Sequence, residues 1–150
     1  ALAVRLGQDP DSWGMAGLLH DLDYEFTKER FEEHALKTVE MLADEDVSTE
    51  IKDAILAHCE RKERQALIEK AIYAADPVTG FIVAAVLIRK GARLADIDVE
   101  FLLNRFKEKS FARGASREQM ASCEELGLSL EEFLDVSLGA MQNISAELGL

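Results

Sequence analysis

The stretch "QDPDSWGMAGLLHDLDYEF", Gln8 to Phe26, decides how the chain reads. Asp9 stands where a helix cap belongs, and Pro10 follows at the first helical position, where its missing N–H does no harm. Trp13, Ala16, Gly17 and His20 then recur at i, i+3, i+4 and i+7, which is one face of a helix. That apolar face runs into His20 and Asp21, an imidazole and a carboxylate side by side. Two such groups leaving the buried side together need a partner, and a metal ion is the obvious candidate.

The same helical spacing continues on both sides of further breaks. A second helix is expected over about residues 28–43, a third from a Ser48 cap through "TEIKDAILAH", and a fourth over about 65–75. Asp76-Pro77 breaks the pattern; "PVTGFIVAAVLIRKG" restarts it and closes at Gly91, with Arg89 and Lys90 in the last turn as the helix dipole favours. Helices follow over about 98–107, from Ser116 onward and from Ser129 to the end. Ser116-x-x-Gln119 and Ser129-x-x-Glu132 have the form of capping boxes. With two prolines and little β-branched alternation, the chain reads as one all-α domain over residues 1–150.

A chain of 150 residues, 48% hydrophobic and 31% charged, has the material for one core. Its net charge of −12 opposes duplex nucleic acid as a partner. Small phosphorylated ligands are compatible with that charge, because a bound divalent cation reverses the local field. The longest uncharged apolar run, Gly80 to Ile88, falls short of the roughly 20 residues of a membrane helix. No membrane association is expected, no signal peptide is recognisable, and the cytoplasm is the expected compartment. Cys59 and Cys123 lack metal-knuckle spacing and read as packed thiols.

All three histidines fall on core-facing stripes. Phe31, His34, Ala35 and Thr38 repeat the spacing around His20, as do Ile51, Ala54, Ile55 and His58. Ile68, Ile72 and Asp76 follow at i, i+4 and i+8, so Asp76 is expected to point inward too. A single inward histidine is commonly a hydrogen-bonded core residue, and Asp76 before Pro77 would also serve as a cap. Five such residues together are better explained by a metal, and imidazole with carboxylate suits Mn, Fe, Co, Ni or Zn, with Mg possible.

At this point the chain resembles the HD-domain superfamily of metal-dependent phosphohydrolases. "LLHDLDYE" looks like its His-Asp motif, His34 and "AILAHCE" like the extra histidines of its binuclear subgroup, and "AIYAADPVTGFI" like its distal aspartate. The resemblance extends to small stand-alone bacterial proteins and through "FKEKSFARGASRE". It implies an HD-like helical bundle holding one or two divalent transition metal ions. Asp21 would bridge them, His20 and Asp76 would serve one, and His34 and His58 the other. The first histidine of the family pattern is absent, and Ala1 to Leu6 reads as the surviving end of its helix, so a single HD-like domain lacking that start is expected.

A metal-activated water attacking a nucleotide or another small phosphate ester is the expected chemistry. Asp21 and Asp23 are the expected catalytic carboxylates, Asp23 either orienting a ligand or protonating a leaving group; Glu25 is a further candidate. The segment "NRFKEKSFARGASR" sets Arg105, Lys107, Lys109, Arg113 and Arg117 against Glu108 alone. With Ser110 it reads either as a phosphate clamp or as a solvated basic face. Two other readings stand beside hydrolysis: oxygen activation at two irons, and a non-catalytic nucleotide-binding or sensing module with a degenerate metal site. The stripe Phe133, Val136, Ala140 and Ile144 suits a monomer and a dimer equally.

Overall fold

The computed structural model describes residues 1–150, and every regular element in it is helical. The chain gathers into two compact units, one of Ala3–Tyr73 and one of Ala74–Leu150 with Ala1–Leu2, where the sequence reads as a single domain. The division falls inside one long helix, so it cannot be seen in the sequence as a linker.

In the Ala3–Tyr73 unit, α1 (Leu2–Arg5) leads to α2 (Pro10–Leu19), which starts where the cap chemistry places it. The Asp9 carboxylate accepts from the N–H groups of Asp11 and Ser12, with Pro10 at the first turn. After the short α3 (Tyr24–Thr27) and a 3-10 turn at Phe31–Glu33 come α4 (Leu36–Met41) and α5 (Thr49–His58), the latter capped by Ser48 Oγ on Ile51 N–H. α5 packs against α2 and α4. Between them Ala16, Ala35, Leu42, Ile51, Ala54, Ile55, Ile68 and Ile72 form the core.

The helix expected over 28–43 is therefore replaced by two short pieces, the 3-10 turn and α4. His34 has φ −58° and ψ 140°, and Ala35 follows at φ 65°, a left-handed conformation that L-residues avoid. Tertiary bonds from this turn to Asp23, described below, hold that geometry.

α6 (Leu67–Leu87) runs straight through Pro77, so the expected break there does not occur. An interior proline loses one backbone bond and costs about 3 kcal/mol. Ile72 and Ala74 before it, and Val78, Phe81, Ile82 and Ala85 after it, are buried, and at about 1.5–3 kcal/mol for each large apolar side chain this burial outweighs the defect. By length and composition alone α6 would also suffice to cross a membrane, contrary to the reading from Gly80–Ile88. Its buried stripe is that of a core helix.

In the Ala74–Leu150 unit, a 3-10 turn at Leu94–Asp96 precedes α7 (Val99–Phe106), which is capped by Asp98 on Phe101 N–H. α8 (Arg117–Ala121) and α9 (Leu130–Asn143) begin at the expected caps Ser116 and Ser129, and α10 (Ser145–Leu148) ends the chain. α9 packs against α7, the Leu94–Asp96 turn and a further 3-10 turn at Ser122–Leu126. Phe81 sits at the centre with Phe106 and Phe111 edge-on at 6.3 and 5.4 Å.

Candidate metal centre

His20, Asp21, His34 and His58 come together in the Ala3–Tyr73 unit. His20 caps α2, Asp21 follows it, His34 sits in the turn before α4, and His58 ends α5. His34 and His58 are buried, whereas His20 is partly exposed and the Asp21 side chain is 47% exposed. The His58 ring lies between the other two, 5.0 Å from each and nearly perpendicular to both.

Hydrogen bonds from the far side of each ring set the tautomers. His20 Nδ1 lies 2.8 Å from the Gly17 carbonyl, His34 Nδ1 2.7 Å from Asp23 Oδ1, and His58 Nδ1 against the Ile55 carbonyl. Each oxygen accepts a hydrogen bond from Nδ1–H, so in the neutral ring Nε2 carries the lone pair. Yet His34 Nε2 and His58 Nε2 face one another at 3.1 Å. Two lone pairs at that distance repel unless a proton on one ring or a cation beside both relieves them.

Asp21 completes a set for such a cation. Its Oδ1 lies 3.3 Å from His34 Nε2 and 3.7 Å from His58 Nε2, while its Oδ2 lies 3.5 Å from His20 Nε2. With the 3.1 Å edge, these distances define a triangle whose three corners are all about 2.0 Å from one central point, the ordinary length of a metal bond to imidazole or carboxylate. The residues present fit a divalent transition metal. Asp21 turns one oxygen to the His34/His58 pair and the other to His20, the disposition a bridging carboxylate requires.

Cys59 joins His34 and His58 in a second possible ligand group. Its Sγ, however, points to the carbonyls of His34 and Leu56, and burial pushes its thiol above the usual cysteine value. With the sulfur turned to these carbonyls, Asp21 is the better placed third donor.

Asp23 lies behind His34. It is fully buried, with Oδ1 on His34 Nδ1 and at 3.4 Å from Thr27 Oγ1, and with Oδ2 accepting from Thr38 N–H at 2.9 Å. Its own N–H donates to Thr38 Oγ1. A carboxylate so enclosed does not reach a leaving group; it orients His34. Glu25 is exposed and paired with Lys28.

Asp76 is exposed, contrary to the inward reading. At 100° per residue it stands about 200° from its buried neighbours Ala74 and Val78, and the i, i+4, i+8 row has drifted off the core face. In the Ala74–Leu150 unit it lines an open groove of 410 Å³ with Thr79, Gly80, Ala84, Gly114 and Ala115. Its expected place among the metal ligands rests on the family pattern alone.

The basic segment divides. Arg117 is not available to a phosphate: its guanidinium donates to the carbonyls of Phe106, Phe111, Ala112 and Ala115 and lies over the rings of Phe81 and Phe106. The 107–116 loop leaves carbonyls that no helix satisfies, and a planar fork of five N–H donors closes on them. Arg105 pairs with Glu108 at 2.5 Å. Lys107, Lys109, Ser110 and Arg113 are exposed.

Three residues of the centre were not legible as such. Thr27 has a signal, its i+4 spacing from Asp23. Thr38 appears in the sequence only as part of a stripe. Arg61 has none: it donates to the carbonyls of His34 and Phe31 and thereby ties the ligand turn to the end of α5.

A family model described as the HD domain matches residues 1–80, more than half of the chain. The chain belongs to the HD-domain family. The match contains His20, Asp21, His34, His58 and Asp76, and the all-helical architecture agrees with it. HD domains form a superfamily of metal-dependent phosphohydrolases that bind divalent metals, which agrees with the donor set here. Comparison with curated proteins and with solved structures yields no match.

Proposed function

We propose that this HD domain is a phosphohydrolase acting on a nucleotide or another small phosphate ester. The observation that carries the reading is the convergence of the His34 and His58 lone pairs on Asp21 Oδ1, with every Nδ1 proton engaged elsewhere. His34, His58 and Asp21 would hold one divalent ion, and Asp21 with His20 a second. When bound, such ions supply a hydroxide near neutral pH and neutralise charge on the phosphoryl oxygens.

The chain's own part is geometric. Asp21 is open to solvent, so a ligand can approach the face that His34 and His58 leave free. Asp23 accepts a hydrogen bond from His34 Nδ1–H and keeps Nε2 aimed at the site. Ile55 and Gly17 do the same for His58 and His20 through backbone carbonyls. Of the basic segment expected to hold substrate phosphate, Arg117 is engaged by backbone carbonyls and Arg105 by Glu108, while Lys107, Lys109, Ser110 and Arg113 are exposed.

The test pairs metal content by plasma mass spectrometry with a phosphate-ester screen in Mn, Co, Ni and Mg, on wild type and Asp21→Ala. Bound metal and turnover in wild type, both lost in the variant, support the reading. Metal and nucleotide binding without turnover would instead support a sensing module, and a folded wild type that takes up no metal removes both.

A further inference from the structure

The segment around the centre exposes an unusual amount of aromatic surface. Tyr24 is 49% and Phe31 57% exposed, although burying either ring would be favourable. Both rings flank His34: the Phe31 centroid lies 5.1 Å from the imidazole, tilted by 33°, and that of Tyr24 6.3 Å away, nearly perpendicular. Tyr24 opens α3 directly after Asp23, and Phe31 opens the 3-10 turn that ends at His34. The carbonyl of Phe31 is further held by Arg61, whose guanidinium also lies 5.7 Å from the ring centroid, so the backbone is pinned while the residue stays 57% exposed. Two exposed rings held beside a ligand histidine are placed to meet the part of a substrate that extends beyond its phosphate.

We infer that Tyr24 and Phe31 form a stacking subsite for a flat ring, which makes the substrate class a nucleoside phosphate rather than a ring-free phosphate ester. This rests on the phosphohydrolase reading for the phosphate end, while the ring end stands on Tyr24 and Phe31 themselves. An aromatic ring gains from a second ring on its open face whatever the base, so the subsite selects for planarity without selecting which base. A sugar or alkyl phosphate makes no such contact.

The experiment is calorimetry on the full chain loaded with Mn, using a nucleoside 5′-phosphonate, an alkyl phosphonate of similar length and the free nucleoside. Phosphonates keep turnover from consuming the ligand. The nucleoside phosphonate is expected to bind about tenfold or more tighter than the alkyl phosphonate, and Tyr24→Leu and Phe31→Leu are each expected to remove about tenfold of that preference. Alkyl phosphonate affinity and metal content stay unchanged in both variants. If Phe31→Leu loses metal, Tyr24→Leu decides alone.

Equal affinity for the two phosphonates, or an equal loss for both in Tyr24→Leu, overturns the subsite and leaves the phosphohydrolase reading standing. A nucleoside that binds in a Tyr24-dependent way while neither phosphonate gains from its acid group does the reverse. If neither nucleoside nor phosphonate binds, both fall.

Discussion

Asp23 shows how much of the centre rests on a residue that touches no ligand. Its carboxylate has no contact with water and holds three separate groups: the His34 ring, the Thr27 hydroxyl and the Thr38 N–H. In Asp23→Asn one acceptor oxygen becomes an NH₂ donor, which must face either the His34 Nδ1 proton or the Thr38 N–H. Metal affinity is expected to fall about 10–100-fold, the usual effect of losing a carboxylate behind a ligand histidine. Titration of Mn into apo-protein measures this, and affinity equal to wild type would show that His34 is oriented by other contacts. The role was half legible: the sequence put Asp23 beside the motif as either a ligand-orienting group or an acid, and burial chose between them. Burial depended on Thr38, 15 residues away, which no local pattern reveals.

Helix starts were the most legible elements, because a cap is chemistry within three residues. Asp9, Ser48, Ser116 and Ser129 all cap where the sequence places them, and Asp98 caps the helix expected from about residue 98. The start of α6 uses a different device. Glu69, in its first turn, accepts from the N–H groups of Gln65 and Ala66 and from Lys62 Nζ at 2.7 Å. Burial pushes its carboxyl up, but the Lys62 hydrogen bond, the two N–H groups and the Lys62 charge together hold it below the ordinary glutamate value of 4.5. A folded value below the unfolded one stabilises the protein above the unfolded value, and this is lost as pH falls through the folded one. Urea midpoints of wild type and Glu69→Gln should therefore differ at neutral pH and converge as pH drops below about 4.5. A gap that stays constant into acid would remove Glu69 ionisation as the source. The failures at this scale are the broken 28–43 helix and the unbroken α6, where tertiary bonds at His34 and burial around Pro77 overrode local preference.

The whole molecule carries a net charge of −12 and a donor set whose two inner nitrogens face one another at 3.1 Å. Metal binding is therefore expected to report on the fold as a unit. Mn at about 100 times its dissociation constant should stabilise the native state by about 2.7 kcal/mol, since only the folded chain assembles the site. Thermal unfolding with and without Mn measures the shift, and Asp21→Ala should abolish it; an undiminished shift in the variant would place the metal elsewhere. At this scale the sequence by itself determined that the chain is all-helical, where most helices begin, and that His20, Asp21, His34 and His58 follow the order of an HD domain, because each rests on spacing or on neighbours one helical turn apart. Only the tertiary structure decided that His34 leaves the helix, that Asp23 is enclosed, that Asp76 faces outward and that Arg117 is consumed by backbone carbonyls. Each of those depends on which remote group buries or bonds the side chain, and the free energy of desolvating or pairing it exceeds the local preference that the sequence displays.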